Sequence, residues 1–311
     1  MRASRLLLVA LVSIAAAFSA SAQVNDTYVI PAAANNNGAF GTRWMTQISI
    51  FNPQLDYPLR VSVVFMPSGG LKGIEKLVDV RANSVVFSDN ILDDLFDASG
   101  TGSLLVATFP EDNPGVPNDM VSRSFLVVTN TYNNRSSGTY GQTIPGVWTG
   151  LEDDGISSIA HGIRNIAREG WRTNVGAVNL GRQNVMLRMT IYNANGVKLR
   201  DEPFGLPPFG HLQMPLPIEV DRGTIEFLLD DPSGEAVVFP YTTTIDALSG
   251  DSMYQTPILL ATAKSLYGKK AIDPIAGKRI DTATARTVRA TATSLGVASL
   301  VEEANGFRIA K

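Results

Sequence analysis

Three observations predict an all-β chain of two tandem β-sandwich domains with a short C-terminal extension. Short runs rich in Val, Ile, Phe, Tyr and Thr, several alternating apolar with polar residues, are separated by Gly, Pro, Asn and Asp clusters. Roughly seven such runs fall in each hundred residues, the density of a sandwich or barrel. The runs also repeat at a fixed offset.

At the N-terminus, Arg2 and Arg5 precede an apolar stretch from Leu6 to Phe18, and Ala20-Ser21-Ala22 supplies the small residues of a cleavage site before Gln23. This is the layout of a secretory signal peptide, assigned to residues 1–22. A spanning helix needs roughly 20 apolar residues, so no transmembrane segment is expected. The protein is expected to be secreted, periplasmic or extracellular. Without a cysteine, each domain must hold together on its apolar core rather than on disulfides. At 44% hydrophobic residues that core is available.

The first repeat, residues 23–146, predicts strands at 44–52, 59–66, 74–80, 84–88, 103–109, 121–132 and 139–144. Asp89 to Phe96 interrupt them: Asp89 is placed to cap a short helix whose Ile91, Leu92, Leu95 and Phe96 share one face. Residues 147–156 read as a linker. The second repeat, 157–258, predicts strands at 171–179, 185–193, 197–202, 209–214, 223–229, 236–245 and 252–258. Trp44, Thr46 and Asn52 recur as Trp171, Thr173 and Asn179 at an offset of 127, and Thr131 and Gln142 match Thr244 and Gln255. Duplication explains these matches. The strand count favours an immunoglobulin-like sandwich.

The extension, residues 259–311, holds nine Lys and Arg against four Asp and Glu, whereas residues 23–258 hold 15 against 25. A basic arm of this kind binds something anionic, and the acidic body of the same chain is the favoured surface. Residues 281–304 are rich in Ala and Thr. Val288, Leu295 and Val301 fit one helix face, while the threonines also permit a strand.

Arg172-Thr173-Asn174-Val175-Gly176-Ala177-Val178-Asn179, with Tyr241, Ile245-Asp246 and Ser249-Gly250-Asp251, resembles a repeat of secreted proteins from soil and related bacteria. Ile30-Pro31-Ala32-Ala33-Ala34 running into Gly41-Thr42-Arg43-Trp44 resembles the opening of the same module. The resemblance covers most of residues 28–258 and implies an exported β-sandwich of a group without an assigned activity. The first unit departs from it, with Met45 in place of Arg172 and Asn133 in place of Asp246.

No catalytic machinery is legible. His161, in the connection entering repeat two, and His211, in a strand, are the two histidines, and neither an HExxH pattern nor a cysteine supplies a zinc ligand set. G-x-S-x-G, P-loop and dinucleotide fingerprints are absent. The carboxylate pairs Asp93-Asp94, Asp153-Asp154, Asp230-Asp231 and Glu111-Asp112 fall in turns or on exposed helix faces, where acids serve the turn. No cofactor is expected. The metal candidate is calcium at Asp246, Ser249 and Asp251, oxygen ligands within one loop, against the plainer reading of an Asx-stabilised hairpin. Trp44 and Trp171 start equivalent strands and read as packing, which leaves Trp148 as the candidate exposed aromatic. The expected function is a non-catalytic exported protein, structural or binding an extracellular macromolecule, glycan or protein. The alternative is a carbohydrate-binding or carbohydrate-active protein. A nucleic-acid partner is not expected.

Overall fold

Among the described residues the first unit contains eight strands and the second nine, where the pattern predicts seven in each, because the leading strand of both hides in what reads as connection and the last run of the second splits in two. The computed structural model describes residues 25–38, 41–70, 72–135, 138–152, 156–261, 278–304 and 307–308. The expected signal segment and Asp153-Asp154 lie outside the described residues. The first unit holds β1 (Thr27–Asn37), β2 (Arg43–Asn52), β3 (Leu59–Pro67), β4 (Ile74–Val80), β5 (Ser84–Ser88), helix α1 (Ile91–Phe96), β6 (Gly100–Thr108), β7 (Leu126–Arg135) and β8 (Gly138–Pro145). After the short β9 (Thr149–Gly150), the second unit holds β10 (Ile156–Asn165), β11 (Trp171–Asn179), β12 (Val185–Tyr192), β13 (Lys198–Leu206), β14 (His211–Pro215), β15 (Val220–Asp230), β16 (Val238–Asp246), β17 (Ser252–Gln255) and β18 (Ile258–Ala261).

The topology repeats with the sequence. The order β4-β3-β6-β1 in one unit recurs as β13-β12-β15-β10 in the other, and β5-β2-β7-β8 recurs as β14-β11-β16-β17. In the first unit β1 joins both sheets. It pairs β6 from Thr27 to Ile30, slips register across Pro31, pairs β6 again from Ala33 to Asn35, and also pairs β2 at Asn35 to Asn37. Proline has no N–H to give the ladder, so it sits naturally at such a bulge.

The matched residues hold equivalent contacts. Thr46 Oγ1 meets Thr131 Oγ1 at 2.8 Å, and Thr173 Oγ1 meets Thr244 Oγ1 at 2.9 Å, each pair buried across adjacent strands. Asn52 donates to the carbonyls of Tyr57 and Val80 while its Oδ1 accepts from Gln54 N. Asn179 does the same with Gln183, Pro207 and Gly181 N. Both asparagines are fully buried, where an unsatisfied amide costs about 1–3 kcal/mol. They are fold residues. One match fails: Gln142 faces Thr131, whereas Gln255 faces Thr242, two places from Thr244, so the two glutamines are not equivalent.

Other expectations are corrected. Residues 147–156 are not a free linker: Val147 bridges Val29, Thr149–Gly150 pairs with Lys278–Arg279, and β10 begins at Ile156. His161 therefore lies in a strand. Helix α1 starts after Asn90, not Asp89, with no side-chain cap. The run 252–258 breaks into two strands on different sheets. In the extension, α2 (Thr282–Thr291) is capped by Asp281, which accepts from Thr284 N at 2.8 Å. Val288 faces the core, but Leu295 belongs to the exposed strand β20 (Thr293–Ala298), and Val301 to β21 (Val301–Ala304).

The two sandwiches share a third apolar cluster. Val29, Val64, Met66, Leu105 and Phe109 of the first meet Val178, Leu180, Val237 and Phe239 of the second, with Ile280, Ala285 and Val288 of the extension packed on both. Strands β3 and β16 are consequently buried on both faces, which explains their continuous rather than alternating burial. Ion pairs hold the extension to the first unit: Arg286 grips Glu111 with two bonds of 2.9 and 2.7 Å, and Arg289 reaches Glu75 and Asp112, each at 2.5 Å, while Arg182 of the second unit donates to Thr287 at 3.2 Å. Arg286 and Arg289 thus lie on acids of the body. Strand β20 adds parallel to β4 and β21 antiparallel to β5, covering those two edge strands of the first unit. The bare edge strand β13 instead carries Lys198, Arg200, Asp201, Glu202 and Pro203, which discourage pairing with another chain.

Candidate functional site

Side chains alternate along a strand, and on β11 that alternation separates two jobs. Thr173 and Val175 face the second core, whereas Arg172, Asn174 and Gly176 face the first unit across the junction. On the neighbouring strands they are joined by Ile245, Thr243 and Tyr241 of β16 and by Gln213 and His211 of β14. The residues of the resembled repeat therefore sort by face: Thr173 and Asn179 build the sandwich, and Arg172, Asn174, Gly176, Tyr241 and Ile245 line the seam.

Tyr241 lies flat over Gly176, where an added Cβ would stand 2.2 Å from the ring. It stacks between His211, 5.9 Å away at 10°, and Tyr254, 5.5 Å away at 24°. A hydrogen-bonded chain runs through this stack. Thr101 Oγ1 meets Ser68 Oγ at 2.8 Å, Ser68 Oγ meets His211 Nδ1 at 2.6 Å, His211 Nε2 meets the Tyr241 hydroxyl at 2.7 Å, and that hydroxyl donates to Gln213 Oε1 at 2.9 Å. Burial pushes His211 down to about 3 and Tyr241 well above its ordinary value, so both are neutral. With Tyr241 donating to Gln213, the network assigns the imidazole proton to Nε2 and leaves Nδ1 to accept from Ser68. The third member is a tyrosine rather than a carboxylate, and Ser68 does not line the cleft. Ser68 and His211 form a clamp between units, where a serine hydrolase places a base oriented by an acid.

Beside the clamp a cleft of about 160 Å³ opens between the sandwiches, reached by Thr101 and Gln213. Trp44, Thr131 and Gln142 of the first unit face Arg172, Asn174 and Thr243 of the second. Ala34, Trp44 and Ile245 form an apolar wall drawn from both units. Gln142 is 9% exposed and its Oε1 has no donor; the shielded Nε of Arg172 has no acceptor. Burial lowers the Arg172 pKa from its ordinary value, yet a guanidinium stays charged in a protein. Among the described residues no Asp, Glu, His or Lys lines the cleft.

A second hollow of about 210 Å³ lies along Pro31, Val147, Phe239 and Pro257. Its lining is apolar apart from threonine and serine hydroxyls, with no ionisable side chain.

The remaining candidates fall elsewhere. Asp246, Ser249 and Asp251 share one hairpin loop, in which each Asp246 oxygen accepts one hydrogen bond, from Leu248 N at 2.9 Å and Ser249 Oγ at 2.8 Å. Among the described residues no three acidic, His or Cys side chains are grouped to hold a metal. Trp148 is half-buried edge-on against Tyr28, at 5.8 Å, not an exposed platform. Trp171 lies under the Arg164 guanidinium at 4.5 Å, unlike its repeat partner Trp44. Asp94 accepts from Ser88, Asp230 pairs with Arg188, and Asp231 ties its own turn. Glu111 and Asp112 hold the extension, and the hydrogen bond from Arg286 draws Glu111 down to about 2. Arg172 and Asn174 were visible in sequence as polar residues at period two, opposite Thr173 and Val175; Gln142 had no comparable signal.

No protein-family model and no curated protein matches this chain. Among solved structures, a calcium-binding mutant of Bacteroides uniformis β-glucuronidase 2 is 14% identical over 70% of this chain, with a TM-score of 0.14. The same enzyme covalently bound to cyclophellitol-6-carboxylate aziridine is 13% identical over 70%, also at 0.14. This chain spans 26% of each of those chains. A likeness at that TM-score carries no argument about activity.

Proposed function

We propose that this chain is a non-catalytic exported binding protein whose ligand is a glycan seated in the cleft between its two sandwiches. One observation carries the reading: Gln142 Oε1 and Arg172 Nε, shielded atoms from the two units, converge on this cleft without partners among the described residues. Buried polar groups are otherwise satisfied as a rule, so such a pair is what a ligand would complete. The apolar wall at Trp44 and the surrounding amides and hydroxyls match the mixed character of a sugar, whose ring faces are apolar and whose rim is hydroxyl.

The lining also supports binding without turnover. Glycoside hydrolysis uses two carboxyl groups about 5–9.5 Å apart across the scissile bond, and none of the described residues that line the cleft carries one. The apolar seam and the extension packed on it keep both halves of the site together. A glycan array read with the full chain and with Asn174→Ala tests the proposal. Binding that the substitution weakens supports it. Release of reducing ends from a polysaccharide, or no glycan bound at all, overturns it.

A further inference from the structure

We infer that the cleft selects a single sugar ring bearing a carboxylate, with Arg172 as the group that reads the acid; this rests on the binding role proposed above. The first ground is the isolation of Arg172. The other shielded arginines are all spoken for: Arg123 by Asp26, Arg164 by Asp221, and Arg289 by Glu75 and Asp112. Arg172 is half-buried, yet among the described residues its guanidinium makes no ion pair or hydrogen bond, and its Nε is closed off from solvent. Withdrawing a charge from water without a partner is costly, and a bound anion removes that cost.

The second ground is the recurrence of residues at a fixed offset. The first repeat carries Met45 where the second carries Arg172, one residue after the matched tryptophans. The sandwich therefore folds with an uncharged side chain at this register, and the charge serves something other than the fold.

The third ground concerns the rest of the ligand. A lone planar guanidinium suits a carboxylate, which it binds through two parallel bonds. A doubly charged phosphate would have one cation to meet it, because among the described residues no lysine or second arginine lines the cleft. A bare carboxylate would leave Gln142, Asn174 and Gln213 unused, whereas a polyhydroxylated ring engages them. At about 160 Å³ the cleft has room for no more than a single ring.

The test is calorimetric titration of the full chain with D-galacturonate and D-glucuronate, beside D-galactose, D-glucose and acetate. A galacturonate oligomer forms a further arm, to tell a free acid from the end of a glycan chain. The acids are expected to bind roughly 10–100-fold tighter than their neutral parents, the range of a charge-assisted hydrogen bond. Arg172→Met, which gives this register the side chain that the first repeat carries at Met45, should erase that preference and leave the melting temperature near the native one. If neutral sugars bind as tightly as the acids, the cleft is still a glycan site and the acid assignment falls. If acetate matches the uronates, the site is a simple anion site and the sugar assignment falls. If nothing binds, both readings fall. Should Arg172→Met not fold, the comparison of acid with neutral sugar in the native chain decides alone.

Discussion

Charging His211 should loosen the seam between the sandwiches. The imidazole is 0% exposed and burial holds its pKa at about 3, against 6.5 for the free side chain. In the unfolded chain it takes up a proton as the pH falls through 6.5; in the folded chain it does not until near 3. The neutral form therefore contributes stability that is whole above pH 6.5 and is lost progressively as the pH falls towards 3. Each pH unit in that window removes about 1.4 kcal/mol, so lowering the pH from about 7.5 to 5 costs about 2 kcal/mol. Carboxylates titrate in unfolded chains near 4. Those held lower when folded, such as Glu111, therefore lose their contribution below a pH of about 4.5, outside the interval from 7.5 to 5. Urea unfolding of the native chain and of His211→Gln, at both pH values, isolates the term. The native chain should lose about 2 kcal/mol and the variant, whatever its absolute stability, much less. Equal slopes for the two proteins would refute the assignment of His211 as the buried neutral group.

Three further perturbations test the fold around the site. Arg289→Met leaves Glu75, 4% exposed and bonded to Ser62, as a buried charge without its cation. The expected loss is about 3–5 kcal/mol against at most about 1 kcal/mol for Arg60→Met in the exposed pair with Asp79; thermal melting compares them, and similar losses would count against the buried pair. Gly176→Ala forces a methyl into the Tyr241 ring, which is itself fully buried. It should cost about 1–3 kcal/mol by overpacking, measured by urea unfolding, while glycan binding by the refolded protein falls with the displaced stack. Adding calcium to millimolar levels should leave the melting temperature unchanged, because the Asp246 carboxylate already accepts hydrogen bonds from Leu248 and Ser249; a rise of several degrees would reinstate the loop as a metal site.

Much of the β architecture was legible because strand signals are local. Thr46 and Thr173, or Asn52 and Asn179, announce equivalent strands since each repeats with the turn it supports. The leading strands were missed for a local reason too: Pro31 followed by three alanines, and the Ser-rich start of β10, lack the β-branched and aromatic residues by which strands are recognised. Trp148 drew attention as an exposed aromatic because nothing nearby in sequence reveals Tyr28 packed against it.

By itself, then, the sequence determined that this chain is β throughout its body, with residues that recur at a fixed offset, and without a recognisable catalytic motif. It even held half of the site, in the alternation that sets Arg172 and Asn174 apart from Thr173 and Val175. Only the tertiary structure decided what those residues face. The cleft needs Gln142 from β8 and Trp44 from β2 brought against β11, and the clamp needs Ser68 against His211, 143 residues apart. Hydrophobic periodicity specifies which face of a strand is buried, but not which surface buries it. That choice was made by the apolar outer faces of β3 and β16 and by the extension that seals them together.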